Sequence, residues 1–254
     1  MIEVKNIVKS FDGKTVLHNV DATFHTGKTN LIIGQSGSGK TVLMKSIVGL
    51  LRPDSGEILY DGRDLLQMNS SQVKALRREI GMLFQGSALF DSETVLGNVM
   101  FPLVMFSKMS RGEMLDRARF CLERVNLKGA ENKYPAEISG GMQKRVAIAR
   151  AIALNPRYLF CDEPNSGLDP KTSLVIDELL HGITQEFDIT TIINTHDMNS
   201  VMGIGENIIY IYEGQKEWQG HSKDIMESTN RKLTDFIFAS DLLKQMRAAV
   251  RGKE

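Results

Sequence analysis

No stretch of this sequence leaves less freedom than Gly34-Gln35-Ser36-Gly37-Ser38-Gly39-Lys40-Thr41, which joins the apolar run TNLII to the helix-like run VLMKSIVGL. Glycines let the backbone wrap tightly enough for its N–H groups to point inward, and the start of a helix adds partial positive charge. Strand, glycine-rich turn and helix in that order form the context in which this pattern cradles phosphates. Lys40 then holds the β- and γ-phosphates, and the Thr41 hydroxyl ligates Mg²⁺. The plainer reading is a glycine-rich turn that merely joins strand to helix; the four fixed positions and both flanking elements weigh against it.

A second segment has matching chemistry. Tyr158-Leu159-Phe160-Cys161-Asp162-Glu163 is an apolar run ending in two carboxylates, the form of a Walker B segment. Asp162 is expected to bind the metal, directly or through water. Glu163 is placed to orient or deprotonate a water attacking the γ-phosphate. Alone, such a pair reads as a solvated cap; its weight comes from the phosphate loop upstream.

With 254 residues, 42% of them hydrophobic, the chain has material for one sizeable core. Its 31 basic and 31 acidic residues leave a formal net charge of zero, so no global field draws it to phosphodiester backbones or anionic bilayers, and nucleic acid is not an expected partner. No stretch reaches the roughly 18 apolar residues that span a bilayer, and MIEVKNIVKS lacks a secretory pattern, so a cytoplasmic location is expected. Cys121 and Cys161 have neither metal spacing nor a disulfide framework and read as reduced thiols in or near the core.

Strand signals fall at Ile2 to Val8, Thr15 to Phe24, Thr29 to Ile33, Ile58 to Tyr60, Ile80 to Phe84, Tyr158 to Asp162, Ile189 to Asn194 and Ile208 to Tyr212. Several are apolar on both faces, as in a buried sheet, with helices between most of them, so the fold class is α/β. Ser110 with Glu113 forms a capping-box pattern, and Asp169 before Pro170 marks another helix start. From about Gly86 to Pro135 strand signals vanish, which predicts a helical insertion. Within it, Met100-Phe101-Pro102-Leu103-Val104-Met105-Phe106 is an apolar run rich in adaptable methionine, suited either to the lobe's own core or to holding a short partner helix. After Gly220, Leu233, Phe236, Ile237, Leu243, Met246 and Val250 recur at near-helical spacing, an amphipathic tail expected to pack on its own domain, with docking of another protein as the alternative.

Ser139-Gly140-Gly141-Met142-Gln143, inside EISGGMQKRVAIARAI, resembles the signature motif of ATP-binding cassette ATPases. The resemblance covers nearly the whole chain: Gln85 matches the Q-loop, Ser166-Gly167-Leu168-Asp169 the D-loop, His196 the switch histidine, and Phe11 the aromatic that stacks on adenine. For Phe11, ordinary core packing remains the alternative, and for His196 a satisfied strand-end residue. The resemblance implies a RecA-like P-loop core, an N-terminal antiparallel β subdomain and a helical signature subdomain at about 86–150, with residues 1–230 as the ATPase domain and 231–254 as the tail. It implies that ATP is held by Phe11, Gly34, Ser36, Gly37, Ser38, Gly39, Lys40, Thr41, Val42, Gln85, Asp162 and His196, with Ser139, Gly140, Gly141, Gln143 and Asp169 also at the nucleotide. Metal ligation falls to Thr41, Gln85 and Asp162, and catalysis to Glu163, His196, Gln85 and Lys40. Ser139 to Gly141 sit at a predicted helix start and form a second anion site. In this family that site caps the nucleotide of the other subunit, so a pair of cassettes, most simply a homodimer, is implied. Two departures are Asn165, where Thr or Ser is usual, and SGGMQ in place of SGGQQ; neither removes a phosphate or metal contact.

GMLFQGSALFDSETVLGNVMFPL together with ISGGMQKRVAIARAI is most similar to ATPase subunits of the Mla type, which power MCE-protein lipid transporters. That resemblance implies phospholipid movement, a transmembrane permease and an MCE substrate-binding protein as partners, and a peripheral place on the cytoplasmic face of the inner membrane. A cassette ATPase that regulates or remodels a non-transport partner, in cell division or cofactor assembly, stays open. A small-molecule kinase built on the same P-loop predicts no nucleotide-dependent dimer.

Overall fold

A computed structural model describes residues 1–239 and Gln245. Strands β1 (Ile2–Phe11) and β2 (Lys14–Phe24) form a hairpin across Asp12-Gly13, both at positive φ, the conformation that an Asp-Gly turn supplies at little cost. The chain continues through β3 (Thr29–Ile33), α1 (Lys40–Ile47), β4 (Ser55–Tyr60), β5 (Arg63–Asp64), α2 (Ser70–Arg78) and β6 (Ile80–Leu83). Three helices follow, α3 (Val95–Phe106), α4 (Arg111–Arg124) and α5 (Gly140–Ile152). The rest is β7 (Tyr158–Asp162), α6 (Pro170–Glu186), β8 (Thr190–Asn194), α7 (Met198–Ile204), β9 (Asn207–Tyr212), β10 (Gln215–Gly220), α8 (Ser222–Glu227) and α9 (Arg231–Ile237).

Two sheets result. An antiparallel sheet has the order β2-β1-β4-β5, and a six-stranded sheet has the order β10-β9-β3-β8-β7-β6, parallel except where β10 pairs with β9. Alternating side chains of the large sheet feed two cores. Ile32, Phe160, Ile192, Ile209 and Ile211 meet α1 and the antiparallel sheet, while Leu31, Ile33, Leu159, Cys161, Ile193 and Ile208 meet the layer of helices. Each fully buried side chain of this size contributes roughly 1.5–3 kcal/mol, so residues apolar on both faces bond the layers from the middle. Both cysteines are buried, as their sequence settings predict.

Local signals account for the helix starts. Ser110 and Glu113 form the expected reciprocal capping box, with Glu113 Oε2 accepting from Ser110 N at 2.6 Å. Asp169 caps α6 ahead of Pro170 by accepting from Lys171 N and Thr172 N, each at 3.0 Å. In α3, Val95, Val99 and Leu103 lie four apart and face inward, whereas Phe101, Val104, Met105 and Phe106 are exposed. The apolar run thus divides between core and surface. In the tail, Leu233 and Ile237 are buried and Phe236 stacks on Tyr210 at 5.3 Å, so this part packs back on its own domain. Leu243, Met246 and Val250 lie outside the described residues.

β1 runs three residues beyond the predicted Val8, because Phe11 pairs with Lys14 at the hairpin. β10 was not foreseen: Gln215–Gly220 is polar apart from Trp218, exposed at Gln215 and Lys216 and half-buried beyond them, and carries no alternating pattern. The order β3-β8-β7 sets the three carboxyl ends at one edge, with β8 in the middle, the edge where open α/β sheets bind ligands.

Candidate functional site

Between β3 and α1 the loop from Gly34 to Gly39 turns where bulkier residues cannot. A Cβ on Gly34 would lie 2.3 Å from the Ile211 carbonyl oxygen, and Gly39, at φ 105°, would bring one to 2.9 Å from Leu17. Lys40 is buried, and its Nζ donates to the Gly34 and Gln35 carbonyls at 2.8 and 2.9 Å. Burial holds its pKa below the usual lysine range, while Glu163 and Asp162 act in the opposite sense. Ser38 Oγ is buried within the loop without a hydrogen-bond partner. A cation and an unsatisfied hydroxyl in a glycine-rich loop at a helix start suit an oxyanion with several acceptor oxygens.

Next to the loop, Asp162 ends β7 and Asn194 ends β8, paired in register. Asn194 Nδ2 donates to Asp162 Oδ1 at 2.7 Å and to Thr41 Oγ1 at 3.3 Å. A hydroxyl and a carboxylate are hard oxygen donors suited to Mg²⁺. Among the described residues no group of three or more His, Cys, Asp or Glu is arranged to hold a metal ion, so a cation here would complete its shell with phosphate oxygens and water. Glu163 follows at φ 48°, its N–H donating to the Asn194 carbonyl at 2.9 Å and its Oε1 lying 2.9 Å from His196 Nδ1.

Gln85, just after β6, donates from Nε2 to Ser166 Oγ at 3.2 Å, and its carbonyl accepts from the buried Lys144 Nζ of α5. Burial lowers the Lys144 pKa, against the raising effect of Cys161, Asp162 and Glu163. Ser139 caps α5 by accepting from Met142 N at 3.3 Å, and Gly141 sits so close to Thr172 that a Cβ would come within 2.6 Å of its methyl. Gln143 is turned to the Pro135 carbonyl at 2.9 Å, and the Asp169 carboxylate is engaged in capping α6 and in a 2.5 Å bond from Thr172 Oγ1. Those bonds, Thr172's foremost, hold Asp169 below the usual carboxylate range. Phe11 is 41% exposed at the end of β1, with Lys9 Nζ 5.4 Å from its ring. Val42 is half-buried behind Thr41.

One edge of the sheet therefore collects Gly34 to Thr41, Asp162, Glu163 and His196, with Gln85 joined through Ser166. Ser139 to Gly141, Gln143 and Phe11 make their contacts elsewhere in the chain. Sequence reasoning missed Asn194, Lys144, Asp177 and Ser200, and noted Asn165 without its bonding: Asn165 Nδ2 donates to Asp177 Oδ1 at 2.8 Å and Ser200 Oγ to Asp177 Oδ2 at 2.8 Å. The available signal was a polar residue ending an apolar strand, in IIN, and a lysine within an otherwise small and apolar helix face.

A largely parallel sheet carrying a P-loop, with a two-carboxylate strand two places away, defines a P-loop nucleotide-binding protein. Residues 17–166 match the ABC transporter family model, and the chain belongs to that family. It is 36% identical over 236 residues to the probable ribonucleotide transport ATP-binding protein mkl of Mycobacterium leprae, covering 93% of this chain and 68% of that one. To the methionine import ATP-binding protein MetN of Clostridium acetobutylicum it is 38% identical over 241 residues, covering 95% and 75%. The dimeric structure of MJ0796, a bacterial ABC transporter cassette, superposes with a TM-score of 0.79 at 36% identity over 87% of this chain and 99% of that one. The same cassette is known as a dimer in a post-hydrolysis state with ADP and Pi. This chain thus has the ABC-ATPase fold and is an ABC-type ATPase, the ATP-binding subunit of a transport system.

Proposed function

We propose that the chain hydrolyses Mg·ATP as one of a pair of cassettes and thereby drives a membrane permease that moves phospholipid with an MCE substrate-binding protein. The meeting of Lys40, Thr41, Asp162, Glu163 and His196 at one sheet edge carries this reading. Lys40, released from the Gly34 and Gln35 carbonyls, takes the β- and γ-phosphates, and Ser38 gains the acceptor it lacks. Thr41 and Asp162, with Gln85, would hold Mg²⁺, which when bound would draw negative charge from the phosphate oxygens. Glu163 orients and deprotonates the attacking water, His196 supports the γ-phosphate, and Gln85 links this edge to the helices. The chain's contribution is positioning and preorganised charge. Phe11, exposed at the end of β1, stacks on adenine. The second cassette supplies Ser139, Gly140 and Gly141 to the phosphate, with Gln143 tying α5 to the Pro135 carbonyl and Asp169 capping α6.

Docking to a permease is supported by α3. Phe101, Val104, Met105 and Phe106 are exposed; of these Phe101 and Phe106 line a groove of about 370 Å³ together with Phe84, Phe90, Arg77 and Arg150. Among the described residues no helix is long and apolar enough to cross a membrane, which agrees with a subunit seated peripherally at the cytoplasmic face of the inner membrane. The lipid assignment is supported by the Q-loop and signature segments that resemble Mla-type ATPases. Two relatives are named for ribonucleotide and methionine transport, so the cargo is set by partners. The test is mass spectrometry of proteins co-purifying with tagged Glu163→Gln from detergent-solubilised native membranes in Mg·ATP. A multispanning permease with an MCE-domain protein is expected, both lost with Met105→Glu added; a solute importer's permease, or a division or assembly factor alone, contradicts the lipid reading.

A further inference from the structure

Asn194 closes β8, whose residues Thr190 to Asn194 are all buried. Its Oδ1 has no hydrogen-bond partner, and its side chain is fully inaccessible. A buried amide with an unpaired carbonyl oxygen weakens a fold, and an apolar residue would serve the strand better. Folding therefore does not account for an asparagine here. Its donors do: one Nδ2 group bonds Asp162 Oδ1 at 2.7 Å and Thr41 Oγ1 at 3.3 Å. The sheet order explains why this position can do so. β8 lies between β3 and β7, Asn194 is in register with Ile32 on one side and Asp162 on the other, and α1 begins just beyond β3.

We infer that Asn194 is a positioning residue of the metal site, fixing the rotation of the Asp162 carboxylate and its distance from the Thr41 hydroxyl before any cation arrives. This rests on the reading that Mg²⁺ sits between Thr41 and Asp162. Two oxygens from elements 121 positions apart in sequence would otherwise have to be ordered when the cation binds, and that ordering lowers affinity. An aspartate in the same place would instead set a second carboxylate against Asp162, and a leucine would leave both oxygens unheld.

The test is binding of the fluorescent nucleotide MANT-ATP to the full chain in a Glu163→Gln background, measured once with Mg²⁺ and once with EDTA, with and without Asn194→Leu. The ratio of the two dissociation constants reads the metal's part alone. Asn194→Leu is expected to shrink that ratio by about tenfold, the scale on which outer-shell partners act, with the EDTA value within about twofold and no fall in Tm. Asn194→Thr, which suits a strand but reaches only one oxygen, shrinks it in the same sense and serves if the leucine variant does not fold. An unchanged ratio, or equal weakening in both buffers, overturns the inference. A Glu163→Gln parent that shows no Mg²⁺ effect overturns the metal-site reading itself.

Discussion

Glu163 shows how a single residue is aimed. At φ 48° it leaves the direction of β7, with its N–H tied to the Asn194 carbonyl and its carboxylate to His196. A non-glycine residue in the left-handed region costs on the order of 1 kcal/mol, kept here by the bonds on both sides. With the proposed role of the carboxylate on water and not on the nucleotide, Glu163→Gln is expected to slow hydrolysis by about 10²–10⁴-fold while ATP stays bound, measured as phosphate release beside equilibrium nucleotide binding. An unchanged rate assigns the base elsewhere. At this scale the sequence was informative wherever a role is local: Lys40 and Thr41 are adjacent, and Asp162 and Glu163 end one strand. Asn194 shows locally only as a polar residue ending an apolar strand; its partners, 153 and 32 positions away, are set by strand order, which no local pattern encodes.

At the level of elements, buried polar bonds tie the site to the helices. Lys144 of α5 holds the backbone at Gln85, and Asp177 of α6 receives Asn165 from the loop after Glu163 and Ser200 from α7. Burial pushes the Asp177 carboxyl above its ordinary value of 3.8, the bonds from Ser200 and Asn165 pull it down, and Asp197 pushes it up again. A carboxyl raised in the folded state adds stability that is complete below 3.8 and is lost as pH rises through the raised folded value. Asp177→Asn removes that titration, so its Tm should vary less above pH 4 or so than that of the parent chain, in thermal melts across a pH series. Parallel profiles would contradict it. The buried strands and the caps at Ser110 and Asp169 were legible because apolar runs and capping pairs are short-range. β10 was not, because an edge strand needs no apolar face once β9 supplies its hydrogen bonds.

For the molecule as a whole, zero net charge leaves recognition to shape and local chemistry: the exposed face of α3 on one side, the phosphate edge and the Ser139 helix start on others. The helix start bonds Met142 and packs on Thr172, while the P-loop bonds its own carbonyls and Asn194, and both are proposed to meet phosphate. In the proposed pair a second copy would present its Ser139 to the first copy's nucleotide; the MJ0796 cassette, whose fold this chain shares, is dimeric. The direct test is the mass of purified Glu163→Gln in solution by light scattering after size exclusion, with and without Mg·ATP. A shift from 28.4 kDa to about twice that value with nucleotide, abolished by adding Ser139→Glu while ATP still binds, is the predicted result. A chain that stays at 28.4 kDa with its nucleotide site filled would contradict the shared-site mechanism.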